Sequence, residues 1–176
     1  MAVNAGGRPR PARPTTWGHG LLGNRNQLTA LSELAQRFNF VIIAVDMQGM
    51  SDADVPAIVP VLADFSLFHR IPERLHQGFL NHLLLGRLMA DGVLGFDAHP
   101  AFQFGDPPVG VIDTTEPFYS GGSQGGIFGA AIMSIAEDFK RGFLAGDPPT
   151  RTRCDSGIPP AGNLPPPFNN RAHGST

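Results

Sequence analysis

The chain has 176 residues, 41% of them hydrophobic, which is the length of one domain with enough apolar material for a packed core. Its formal net charge of −2 gives no electrostatic case for nucleic acid or an anionic membrane as partner. The single cysteine, Cys154, excludes an internal disulfide, and no apolar run approaches the ~20 residues that a membrane-spanning helix needs.

Residues 1–14 carry Gly, Pro and Arg without periodicity and read as a disordered arm. They hold no hydrophobic region of the signal-peptide kind, so a cytoplasmic location is expected. Thr15-Thr16-Trp17 is the stub of a strand, followed by the loop Gly18-His19-Gly20-Leu21-Leu22-Gly23. His19 reads either as a brace for that loop or as an ordinary loop histidine. Asn26 can cap a helix to about Phe38, with Leu28, Leu31, Leu34, Ala35 and Phe38 on one face. Val41-Ile42-Ile43-Ala44-Val45 is a continuous apolar run suited to a central parallel strand covered on both faces.

A polar loop, Asp46 to Asp54, follows that strand. Asp46 stands where open α/β sheets place active-site residues, or it is a loop acid bonding backbone N–H groups, the reading favoured. Ser51 with Asp52 and Asp54 looks like a helix start. Residues 55–71 read as short helix and loop, and Pro72 opens a long helix to about Met89. Its two stripes, Leu75, Phe79, Leu83 and Leu80, Leu84, Leu88, predict a well-buried helix. His69, His76, His82 and His99 have no metal-ligand spacing, so neither a metal nor a cofactor is expected. Gly92 to Pro108 reads as loop, Val109 to Ile112 as a short extended piece, and Asp113 to Glu116 as a turn.

Pro117-Phe118-Tyr119 is an aromatic entry suited to a buried strand, and it leads into Ser120-Gly121-Gly122-Ser123-Gln124-Gly125-Gly126. Gly121, Ser123 and Gly125 form Gly-x-Ser-x-Gly, the pattern of a nucleophile elbow. There a strand turns sharply into a helix and leaves one serine exposed on a strained backbone. The flanking glycines are needed because Cβ atoms at those positions would make strand and helix collide. The N–H groups at the start of the helix then face the place where an oxyanion would form. Ile127, Ala131, Ile135 and Phe139 predict the buried face of the following helix. Arg141 to Gly146 is the last strand candidate, and residues 147–176 turn to Pro, Gly, Arg, Asn and Thr and read as a disordered or loosely draped tail. The core is thus expected to span residues 15–146.

Strand, His-Gly loop, helix, strand ending in Asp-x-x-Gly, long helix, elbow, helix, strand: this order resembles the α/β-hydrolase superfamily. Within it, His19-Gly20-Leu21-Leu22-Gly23 and Gly122-Ser123-Gln124-Gly125-Gly126 are similar to segments of bacterial esterases and lipases. The resemblance implies an α/β fold, a three-layer parallel sheet smaller than usual and apparently truncated at both ends. It implies Ser123 as nucleophile, with oxyanion donors from the Gln124 N–H and from the loop at His19, Gly20 or Leu21. The order Ser, acid, His leaves Asp147 as acid and His173 as base, with His19 as a base nearer in the fold. The implied reaction is hydrolysis of a carboxylic ester, a small molecule, through an acyl-enzyme. The alternative is a truncated or remnant hydrolase-like domain, inactive or acting as a binding module. Missing edge strands would favour self-association. Acyl transfer and peptide cleavage share the same scaffold.

Overall fold

The computed structural model describes residues 10–145 and the backbone of residues 151–155. In chain order these form β1 (Arg13–Gly18), α1 (Ser32–Phe38), β2 (Phe40–Ile43), α2 (Val55–Ala63) and α3 (Arg70–Ala90). There follow a small ladder of β3 (Gln103–Phe104) and β4 (Val109–Gly110), then β5 (Phe118–Gly122), α4 (Gln124–Ile135), β6 (Arg141–Ala145) and β7 (Arg151–Asp155). The class is α/β. One sheet has the order β2-β1-β5-β6-β7, with the first four strands parallel and β7 antiparallel to β6. No helix among the described residues is long and apolar enough to cross a membrane.

The strand order carries a consequence for function. From β1 the chain steps to β2 on one side, and later to β5 and β6 on the other. The direction of winding therefore reverses between β1 and β5, and open α/β sheets bind their ligands at the carboxyl ends of the strands flanking such a reversal. Register pairs Gly18 with Gly121 at that end, which sets the loop after β1 beside the bend after β5.

One face of the sheet carries the core. Tyr119 on β5 and Leu144 on β6 pack with Met47, Met89, Ile132, Met133 and Phe139. Here α4 and α3 come close because glycines line their inner faces. A Cβ on Gly78 of α3 would stand 3.0 Å from Gln48 N, and one on Gly86 would stand 2.8 Å from the Phe139 ring. The inner face of α4 is Gly125, Gly126, Gly129, Ile132 and Met133. The sequence pattern expects Ile127 and Ile135 inside; they are 67% and 58% exposed. Leu80, Leu84 and Leu88 of α3 are likewise exposed, and the other stripe, Leu75, Phe79 and Leu83, is only partly buried; the buried residues of α3 are Gly78, His82, Gly86 and Met89.

The opposite face is covered by α1 and the 3-10 turn before it, Arg25–Leu31. The cap of that turn is Asn24, whose side chain accepts from Asn26 N at 2.9 Å, and not Asn26 as the sequence suggests. Leu34 and Phe38 remain about half exposed, beside a hollow of about 190 Å³ lined by Trp17, Leu34, Ser120 and Phe143 among others. β2 is an outer, half-buried strand among the described residues and ends at Ile43, whereas its apolar run predicts a central one.

Two further segments differ from expectation. Arg13 and Pro14 belong to β1, and Ala12 bridges Ile112, so the ordered chain begins before residue 15. Arg151 to Asp155, inside the expected tail, pair with β6 and cover its edge. Their charged sequence is what an edge strand tolerates, and that is why it does not read as a strand.

His82 on α3 is fully buried and its Nδ1 lies 2.9 Å from the Gly78 carbonyl. Burial pushes its pKa below the ordinary 6.5; the Gly78 carbonyl offsets this in part, and nearby His19 adds to it. The unfolded chain therefore binds a proton at a higher pH than the folded one, and stability is lost as pH falls from 6.5 toward the lower folded value. We expect the urea midpoint to decline more steeply between about pH 7 and pH 5 in the wild type than in His82→Leu. Parallel curves for the two proteins would place this acid sensitivity elsewhere.

Candidate active site

Ser123 sits between β5 and α4 with φ 53 and ψ −120, a conformation that side chains rarely adopt. Such strain, of order 1–3 kcal/mol, persists only where the surroundings over-determine it. They do so here. Ser123 N donates to the Ala145 carbonyl at 2.6 Å, and Ser123 O accepts from Gly126 N and Ile127 N at 2.9 and 3.1 Å, the first bonds of α4. Ser123 is exposed, as an attacking group must be.

Both elbow glycines are sterically required. A Cβ on Gly121 would stand 2.5 Å from Gly125 C and 2.9 Å from Gly126 N. One on Gly125 would overlap the Gly18 carbonyl and lie 2.9 Å from Gly18 Cα. The Tyr119 hydroxyl, buried beneath, donates to the Gly125 carbonyl at 2.7 Å and holds the start of α4 on β5. Burial pushes that phenol well above its ordinary value, so it stays a neutral donor.

The loop after β1 faces this bend. A Cβ on Gly20 would lie 3.8 Å from Ser123 Cβ. His19 is fully buried: Met47 N donates to its Nε2 at 2.8 Å, so Nδ1 carries the proton and donates to the Gly20 carbonyl at 2.8 Å. With both nitrogens engaged, His19 braces the loop and does not serve as a base for Ser123. Leu22 N donates to Met50 O and Gly23 N to Gly20 O. Gly20 N donates to Gln27 Oε1 at 3.0 Å, which removes it from the open donors named by the sequence. Among the described residues, the backbone N–H groups of His19 and Leu21 are both left without an acceptor, and Leu21 lies one residue further into the loop. Gln124 N, at the first position of α4, likewise has no acceptor within its own helix. Leu21 N–H thus belongs to the loop that approaches Ser123 at Gly20, and Gln124 N–H follows Ser123 in the chain at the start of α4.

The remaining candidates separate. Asp46 accepts from Arg25 N and Arg25 Nη1, both at 2.7 Å, and is a loop clamp. Among the described residues, no histidine nitrogen is hydrogen-bonded to Ser123 Oγ. Asp147 and His173 lie outside the described residues. Gln27 is the residue that sequence reasoning overlooked, because it falls on the outer side of an expected helix. Its only signal is position, a few residues beyond the glycine loop. No protein-family model matches the chain, and neither a curated protein nor a solved structure matches it.

Proposed function

We propose that the chain is a carboxylic ester hydrolase of the α/β-hydrolase kind, working through an acyl-enzyme on Ser123. The observation that carries this is the positive-φ bend of an exposed Ser123 between strand and helix, at the reversal of strand order. Ser123 Oγ attacks the ester carbonyl carbon while a base takes its proton. Leu21 N–H and Gln124 N–H donate to the oxyanion, where charge develops only in the transition state. The alcohol leaves with the base's proton, and water then hydrolyses the acyl-enzyme by the same steps. His173 and Asp147 fill the base and acid roles in this proposal. A fluorophosphonate should label the full chain, and Ser123→Ala should abolish labelling and lower kcat on p-nitrophenyl butyrate by about 10³-fold or more. Labelling that persists in Ser123→Ala removes Ser123 as nucleophile.

One observation favours a hydrolase-like domain without catalytic activity: the described residues offer Ser123 no histidine partner. The same assays separate the two. Turnover that depends on both Ser123 and His173 supports the enzyme, and wild type indistinguishable from Ser123→Ala supports the inactive domain.

A further inference from the structure

Gly20 is held from both sides. Its carbonyl accepts from His19 Nδ1 at 2.8 Å and from Gly23 N at 2.9 Å, while its own N–H donates to Gln27 Oε1 at 3.0 Å. A peptide unit is planar and trans, so fixing the Gly20 carbonyl fixes the direction of Leu21 N–H in the same plane. The bond to Gln27 fixes the preceding plane. Without it, the His19–Gly20 plane could turn about a glycine with both signs of φ open to it, and the two bonds to the Gly20 carbonyl alone would hold the Leu21 N–H. Gln27 also lies against the loop: a Cβ on Gly23 would stand 2.9 Å from Gln27 Cδ. The loop so held abuts Ser123, 3.8 Å from a Cβ built on Gly20.

From this juxtaposition we infer that Gln27 is a positioning residue, whose Oε1 holds the Gly20 amide and so steadies the direction of Leu21 N–H in the loop that abuts Ser123. The inference rests on the esterase proposal above. Gln27 touches no reacting atom; it acts through the loop.

Gln27→Met keeps the length of the side chain and removes the acceptor, and Gln27→Glu keeps the acceptor. Both are compared with wild type and Ser123→Ala as full chains, by fluorophosphonate labelling rate and by kcat and KM on p-nitrophenyl butyrate. The Met variant should be labelled roughly 3- to 30-fold more slowly, the loss falling on kcat with KM nearly unchanged. The Glu variant should recover at least about half of the wild-type rate, because a carboxylate accepts the same N–H. Wild-type labelling of Gln27→Met overturns the inference. So does faster labelling, which would make the side chain a shield over the donor, and so does a Glu variant as slow as Met, which would make packing the cause. In each of those results Ser123 keeps its role. An unlabelled wild type, or a labelled Ser123→Ala, removes the esterase proposal and this inference together.

Discussion

Gly125→Ala should destabilise the protein by more than about 3 kcal/mol, and fluorophosphonate labelling should disappear with it. Two effects of opposite sign compete. In a helix interior alanine is intrinsically better than glycine by about 1 kcal/mol, which alone would predict a more stable protein. Against this, the new methyl would overlap the Gly18 carbonyl and stand 2.9 Å from Gly18 Cα. Both obstacles are backbone atoms of a strand, so no rotamer change relieves the clash. Either α4 lifts from β1 or Gly18 withdraws, and each movement opens the bend that holds Ser123. The comparison is Gly92→Ala, where the nearest atom to a Cβ is Thr114 Oγ1 at 3.7 Å. That variant should stay within about 0.5 kcal/mol of wild type in urea unfolding. If Gly125→Ala unfolds at or above the wild-type midpoint, β1 and α4 are not in contact and the geometry of the bend is wrong.

The same close approach explains which parts of the fold were legible. Strand, bend and helix around Ser123 could be read because Gly121 and Gly125 are dictated locally, by the collision of two backbones. The helix faces could not. Counting apolar residues puts Ile127 and Ile135 of α4, and Leu80, Leu84 and Leu88 of α3, toward the core. The structure puts glycines among the inward residues of both, because α4 lies on β1 at Gly125 and α3 meets the Gln48 backbone and the Phe139 ring at Gly78 and Gly86, with no room for larger side chains. Hydrophobic spacing measures transfer from water, whereas these positions are decided by the distance between backbones. A single sequence does not reveal that distance.

Composition misled in the first and last of the described strands for a related reason. Pro14 in β1 and Arg151 to Asp155 in β7 lack the β-branched, apolar signature of strands. Pairing places them there: Pro14 sits opposite Val41, and Arg151 to Asp155 run along β6. The loop after β1 shows a third limit. His19 is legible as a brace, since a His-Gly turn after a strand has few other uses. Its partner Met47 N, 28 positions away, and the acceptor Gln27 emerge only once β1 and β2 are paired.

Asp54→Ala should cost about 3–5 kcal/mol, and the part of that cost that depends on the carboxylate charge should be lost in acid. Asp54 is buried to 1% exposure and accepts from Gly49 N at 2.7 Å, Ser51 N at 2.9 Å and Ser51 Oγ at 2.6 Å on one oxygen. Its other oxygen meets Arg74 Nε at 2.8 Å and Arg74 Nη2. Removing the carboxylate leaves all of these donors unpaired, two of them backbone groups of the Asp46–Asp54 loop that supports His19 and Leu22. Arg74→Ala should be milder, about 1–2 kcal/mol, because Asp54 keeps its three loop donors and Arg74 is 40% exposed. Burial works to raise the Asp54 carboxyl, but bonds from Ser51, Arg74 and Gly49 outweigh it and hold the pKa below the ordinary 3.8. The unfolded chain therefore takes up this proton first as pH falls. The stabilisation is complete above 3.8 and is lost as pH drops through the folded value. Wild type and Asp54→Ala should accordingly differ most at neutral pH and draw together as pH falls from 3.8 through the lower folded value, well separated from the His82 effect that begins near 6.5. A difference that stays constant down to that acid range would mean that the Asp54 contacts stabilise the loop by packing alone, with the charge contributing nothing.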